Sequence, residues 1–159
     1  MSGNASHTLG IDWSAVDTVP QFTVGEIKQD RNGNHYQYVK AHVALTSGNL
    51  VIIPSTYIIG ANGATTTLVD AVNPCSLGIV THANFTVVDT YGWVFVGPGQ
   101  ASVLAFTACA ADVPVYTHAT DGQVDDTSTT LVVGLKLNSL VGGAPAITAC
   151  TAVTKLYAA

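Results

Sequence analysis

FTVGEIKQDRNGNHYQYVKAHVALTSGNLVII, residues 22–53, is the stretch whose reading decides the fold. It reads as a strand, a tight turn, a second strand, a Gly-centred corner at Gly48 and a third strand. Asn32-Gly33 is the pair favoured by a two-residue hairpin, whose central residues must both accept positive φ. Before the turn, Phe22, Val24 and Ile27 form an apolar series. After it, Tyr36, Tyr38, Lys40 and His42 alternate with Gln37, Val39, Ala41 and Val43, the period of 2 that marks a strand. The face carrying the tyrosines is half polar, which implies a strand covered on both sides. The stretch holds no catalytic motif; it builds a scaffold.

The same grammar continues to the C-terminus. Leu50–Pro54 and Thr56–Ile59 are short strand candidates, followed by a turn at Ala61-Asn62-Gly63. Thr66–Val72 alternates as a strand and is stopped at Asn73-Pro74, because the residue before Pro is pushed out of the helical region. Leu77–Thr81 and Phe85–Val88 follow. Tyr91–Val96 is the most strongly β run, and after Gly97-Pro98-Gly99 the segment Ala101–Phe106 is expected to return as its hairpin partner. Val113–Thr117, an Asp121-Gly122 turn, Thr129–Leu137 and Ile147–Tyr157 complete the series. Strands spaced by about 8–12 residues predict an all-β fold, a compact antiparallel β-sandwich or β-barrel with short turns. No helix longer than one or two turns is expected. Residues 44–52 and 108–116 both read as strand, corner, strand; two pseudo-symmetric halves and a chance repeat of β grammar explain this equally well.

Residues 20–159 read as a single β domain, and residues 1–19 as an extended N-terminal arm, small and polar apart from Trp13 and Val16. Ser14–Asp17 offers at most one helical turn. A lone Trp in such a tail is expected to dock on a partner, and the arm to become ordered there. A chain of 159 residues buries roughly 70% of its unfolded surface. Charged residues make up only 9% of the chain, against an average of about 25%. Five Lys and Arg against ten Asp and Glu give a formal charge of −5, which argues against nucleic-acid binding. The start, MSGNASHTLG, has neither the basic nor the apolar region of a secretory signal. Charge-free runs are broken by Pro, Gly and Asn, so no membrane span is expected and synthesis is placed in the cytoplasm. Cys75, Cys109 and Cys150 are odd in number and form no C-x-x-C pair, which favours free thiols over a bridge.

Catalytic and metal motifs are sparse. His35, His42, His82 and His118 show no metal spacing, and no G-x-S-x-G elbow occurs. His82, Asp89 and Ser76 or Cys75 can be drawn as a base–acid–nucleophile set, but on residue type alone. Residues 121–126, DGQVDD, are acidic yet lack the ligand pattern of a calcium loop, and a solvated turn is the expectation. Gly97-Pro98-Gly99 opens no helix and so is not a phosphate loop. No catalysis, cofactor or metal is expected.

The pattern Gly25, Asn32-Gly33, Tyr36, Tyr38-Val39, Ala41, Ala44 and Gly48, with the later Tyr91-Gly92-Trp93-Val94, Gly97-Pro98, Val115-Tyr116 and Asp121-Gly122, resembles head decoration, or cement, proteins of tailed bacteriophages. The resemblance covers about four-fifths of the chain and rests on β-turn grammar; the three cysteines lie outside it. It implies a structural protein on the outer surface of the virion, bound to the major capsid protein and often trimeric, without catalytic residues. Weakly charged surfaces with Tyr and Trp suit such an interface. Trp13, Val16, Tyr36, Tyr38 and Tyr57 are the candidate interface residues, while Trp93, inside its strand, is expected in the core. The rival reading is a carbohydrate- or host-surface-binding β module, with Tyr57 near Asn62 as its contact; an enzyme using His82 and Asp89 ranks below both.

Overall fold

A computed structural model describes residues 11–159 except 62, 73 and 128. The strands are β1 (Val16–Asp17), β2 (Ile27–Gln29), β3 (His35–Ala41), β4 (Leu50–Ile53) and β5 (Ile58–Ile59), followed by a helix, α1 (Thr66–Val72). Then come β6 (Ser76–Ile79), β7 (Thr90–Phe95), β8 (Gly99–Ala105), β9 (Tyr116–Thr117), β10 (Val124–Asp125), β11 (Val132–Leu137) and β12 (Ala146–Ala158). All twelve strands belong to one sheet whose main path runs β2-β3-β7-β6-β12-β8-β10-β9 and does not close. Its pairings are antiparallel except β3 with β5 and β8 with β10. The fold is all-β, as the spacing predicts, in an open arrangement compatible with a sandwich.

The period of 2 decides which side chains meet. On β3, Tyr36 and Tyr38 enter one core while Val39 and Ala41 enter another. On β7, Trp93 and Phe95 join the first core and Val94 the second. β4 divides in the same way, with Leu50 in the first and Val51 and Ile53 in the second. This half of the sheet is therefore covered on both faces, as the half-polar tyrosine face of β3 implies. The first core also contains Val103 and Ala105 of β8, Leu135 and Leu137 of β11, and Cys150 and Ala152 of β12. Both halves of the sheet thus close over one interior. β12 joins them: residues 146–152 pair with β8, and Tyr157 pairs with Ser76 of β6. The crossing falls where the register with β11 shifts between Val133 and Leu135. A strand that bends to serve two layers is a recognised way to build a sandwich corner.

Four local expectations change. The hairpin between β2 and β3 has a three-residue loop, not two: Asp30 N–H donates to the Asn34 carbonyl, and Gly33 N–H to the Asp30 carbonyl. Gly33 has φ 87°, the left-handed residue that follows a type I turn in such loops. The buried Asp30 selects this form, because its Oδ1 accepts the N–H groups of Asn32 at 2.8 Å and Asn34 at 2.9 Å. Second, Thr66–Val72 is a two-turn helix rather than a strand. Thr65 caps it, its Oγ1 accepting the Leu68 N–H, and the Thr130 hydroxyl donates to Asp70 on its flank. Third, Phe85–Val88 forms no strand, only a bridge from Phe85 to Leu45. Fourth, β8 does not return along β7. One edge of β7 is held by β3, the other by β1 at Tyr91 and Gly92 and by β6 at Phe95. The chain leaves through Gly97, at φ 70°, where a Cβ would stand 2.4 Å from the Thr154 carbonyl oxygen, and β8 pairs with β12.

The corners Gly48 and Asp112 are both left-handed, at φ 91° and 59°. They open onto unlike elements, though, a four-residue strand paired with β6 and a two-residue strand paired with β10, so the two units occupy inequivalent places. The expected turn at 61–63 and stop at 73–74 each include a residue outside those described.

Candidate functional site

Three of the five candidate interface residues are interior. Trp13 is 1% exposed, Tyr36 1% and Tyr38 0%. Trp13 stacks on Tyr36 with ring centroids 4.6 Å apart and meets Trp93 edge-on at 5.2 Å. The described part of the arm, from Ile11, is therefore built into the domain: Val16 and Asp17 pair with Gly92 and Tyr91, filling the edge of β7 that β6 leaves open. The Tyr38 hydroxyl donates to Asp17 Oδ2 at 2.7 Å and accepts the Gln21 N–H at 3.2 Å. Burial pushes the Tyr38 phenol up to about 12, so the hydroxyl stays a donor to Asp17. Residues 1–10 lie outside those described. The reason for the change is that Trp13 packs its ring against Tyr36 of β3 and Trp93 of β7, two aromatic side chains of neighbouring strands.

Val16 is half-buried in β1, and Tyr57 is 36% exposed at a left-handed φ of 57°. The ring of Tyr57 lies over Gly25, where a Cβ would come within 2.5 Å of it. Tyr57 also borders a hollow of about 450 Å3 with Ile53, Pro54, Cys75, Lys155 and Gln37. Gln37 donates through Nε2 to the Gly25 carbonyl at 2.9 Å, while its buried Oε1 accepts no hydrogen bond among the described residues. The Tyr57–Asn62 pair of the rival reading includes a residue outside those described.

A larger groove, of about 550 Å3, opens between the β2–β3 loop and strands β8 and β12. Tyr36 and His82 stand together in it, with the hydroxyl and Nε2 3.2 Å apart. Burial lowers the His82 pKa against the pull of Asp30 and Asp12, and burial, with Asp30 nearby, raises that of Tyr36. Both groups are therefore neutral near pH 7. Asp30 also borders the groove, close enough to act on Tyr36 and His82, and its carboxylate is held by the loop: besides the two backbone N–H groups on Oδ1, Asn34 Nδ2 donates to Oδ2 at 2.8 Å. Thr81, next to His82, has a buried hydroxyl with no partner among the described residues.

His82, Asp89, Ser76 and Cys75 go to different places. His82 lies in this groove, whereas Cys75 and Ser76 border the Tyr57 hollow. Asp89, at φ 58°, bonds the His42 ring and the Lys40 ammonium, the latter at 3.1 Å. Hydrogen bonds from Lys40 and then His42 lower its pKa. The acidic run 121–126 meets Cys109: its thiol, Asp125 and Asp126 converge within 4.8 Å. The carboxylates there serve the backbone, Asp126 accepting the Ala110 N–H at 2.8 Å and Asp125 that of Asp126 at 2.8 Å. Burial pushes the Cys109 thiol up to about 11, unfavourable for a thiolate ligand. All three cysteines are free.

The outer surface carries apolar patches. Val153 is 66% exposed and, with Pro114, Leu131 and Val133, borders a shallow apolar depression of about 200 Å3 over β11. Lys136 and Lys155 lie on the same two strands, and neither forms a salt bridge among the described residues. Leu140 at 69%, Val87 and Val88 are exposed elsewhere. Sequence reasoning aimed at aromatic residues missed these aliphatic ones, because a Val facing outward from a strand differs from one facing inward only by register. Among the described residues no helix is long and apolar enough to cross a membrane. No family model matches the chain, and no curated protein matches it in sequence.

Proposed function

We propose that the chain is a structural virion protein that decorates the outer surface of a tailed-phage capsid, bridges major capsid subunits and works as a homotrimer. The observation that carries this reading is the exposed apolar depression around Val153 on a β surface with little charge. Interfaces lose charge at their centres, and an apolar hollow with a single charged residue, Lys136, on its border accepts an aliphatic anchor from a partner. The sequence resemblance points the same way. A trimer on a lattice multiplies a weak contact through effective concentration.

The test is co-sedimentation of the purified protein with mature shells stripped of it, alongside immature shells. Saturable binding to mature shells at a fixed ratio to the shell subunit is expected, together with a trimer in sedimentation velocity. Val153→Asp leaves the fold intact, because the side chain faces solvent, and abolishes shell binding. A wild-type protein that binds neither shell removes the proposal.

A further inference from the structure

We propose that the groove between the β2–β3 loop and strands β8 and β12 binds a neutral saccharide. Its volume of about 550 Å3 falls within the roughly 300–1,000 Å3 of small-molecule sites. The ligand class follows from what lines it. None of the lining residues is Lys or Arg, so an anion finds no counter-charge. The one carboxylate, Asp30, has both oxygens hydrogen-bonded within the loop, three of its roughly four acceptor positions being filled, so it is a poor ligand for a cation.

What remains is neutral and both donates and accepts. Asn32, Gln100 and Ser102 border the groove, and their side chains make no hydrogen bond among the described residues. Asn138 uses its Oδ1 to accept the Thr151 hydroxyl at 2.9 Å, which leaves its amide N–H groups to a ligand. At the floor, the Thr81 hydroxyl is buried and unpartnered among the described residues, beside the Tyr36–His82 pair. An unsatisfied buried hydroxyl is costly and gains when a ligand hydroxyl reaches it. Ala149 and Ile147 add an apolar strip, suited to the C–H face of a sugar ring. Amides and hydroxyls beside a small apolar strip complement a polyol better than a charged or wholly apolar molecule.

This site is separate from the Val153 depression, with which it shares no lining residue, so the two proposals stand or fall apart. The experiment is a glycan array carrying neutral, sialylated and sulfated oligosaccharides, probed with the full-length protein. Hits are titrated by calorimetry and mapped by amide chemical shifts. Binding confined to neutral glycans is expected, with shifts centred on Tyr36 and His82. Thr81→Val, nearly isosteric, is expected to weaken binding roughly three- to tenfold, the worth of one hydrogen bond. Gln100→Ala, an exposed change that leaves the fold alone, does the same if Thr81→Val fails to fold. Val153→Asp leaves glycan binding unchanged. No binding to any glycan, binding only to sialylated or sulfated ones, or undiminished affinity in both groove variants overturns the proposal.

Discussion

Removing the ring of Trp13 separates an arm that is part of the domain from one that waits for a partner. Trp→Ala in a packed core costs about 3–5 kcal/mol. Trp13 meets that condition at 1% exposure, stacked on Tyr36 and edge-on to Trp93. One term works the other way: its indole Nε1 is buried without a partner among the described residues, so deletion relieves about 1 kcal/mol or more of unmet hydrogen bonding. The net loss is then about 3 kcal/mol. For a chain of this length, that lowers Tm by about 6–12 °C. Urea unfolding of the isolated Trp13→Ala protein, followed by the fluorescence of Trp93, reads the change directly as a lower midpoint at constant slope. A loss below about 1 kcal/mol would refute the packing argument and return the arm to the role of a docking tail. Trp13→Phe is the control: it keeps a ring on Tyr36 and deletes the unpartnered N–H, so its loss is the smaller of the two.

Two further outcomes follow from close contacts and buried thiols. At Gly92 a Cβ would stand 2.9 Å from Phe85 Cζ and 3.1 Å from the Ala15 carbonyl oxygen, so Gly92→Ala is expected to cost about 1–3 kcal/mol. Hydrogen exchange at β1 amides should accelerate with it, since Gly92 is the register partner of Val16; unchanged exchange and stability would contradict the contact. Burial raises the thiols of Cys109 to about 11 and of Cys150 to about 12, so a thiol reagent at pH 8 should leave both untouched in the native protein and titrate three thiols after unfolding. Rapid native labelling of Cys150 would show that the interior opens easily.

The sequence by itself determined the class of fold and much of its inner chemistry. Alternation over residues 36–43 and 91–96 requires strands, and a tyrosine face that is half polar requires cover on both sides; β3 and β7 have it. The Gly33 turn and the Gly48 corner are legible because left-handed backbone is a local property. Pairing is not local. Nothing in residues 101–106 says that both edges of β7 are already taken, so β8 reads as its hairpin partner until β1, β3 and β6 are in place. Thr66–Val72 has a strand-like composition, and its helix depends on a cap at Thr65 and a contact with Thr130, 60 residues on in the case of Asp70. Trp13 looks solitary because the rings that receive it, Tyr36 and Trp93, lie 23 and 80 positions away in the chain. The groove draws Asn32, Thr81, Gln100 and Asn138 from four separate segments. Only the tertiary structure decided these, because side-chain direction and composition are written along the chain, whereas the partner of an edge or a hollow is set by which distant segments arrive to fill it.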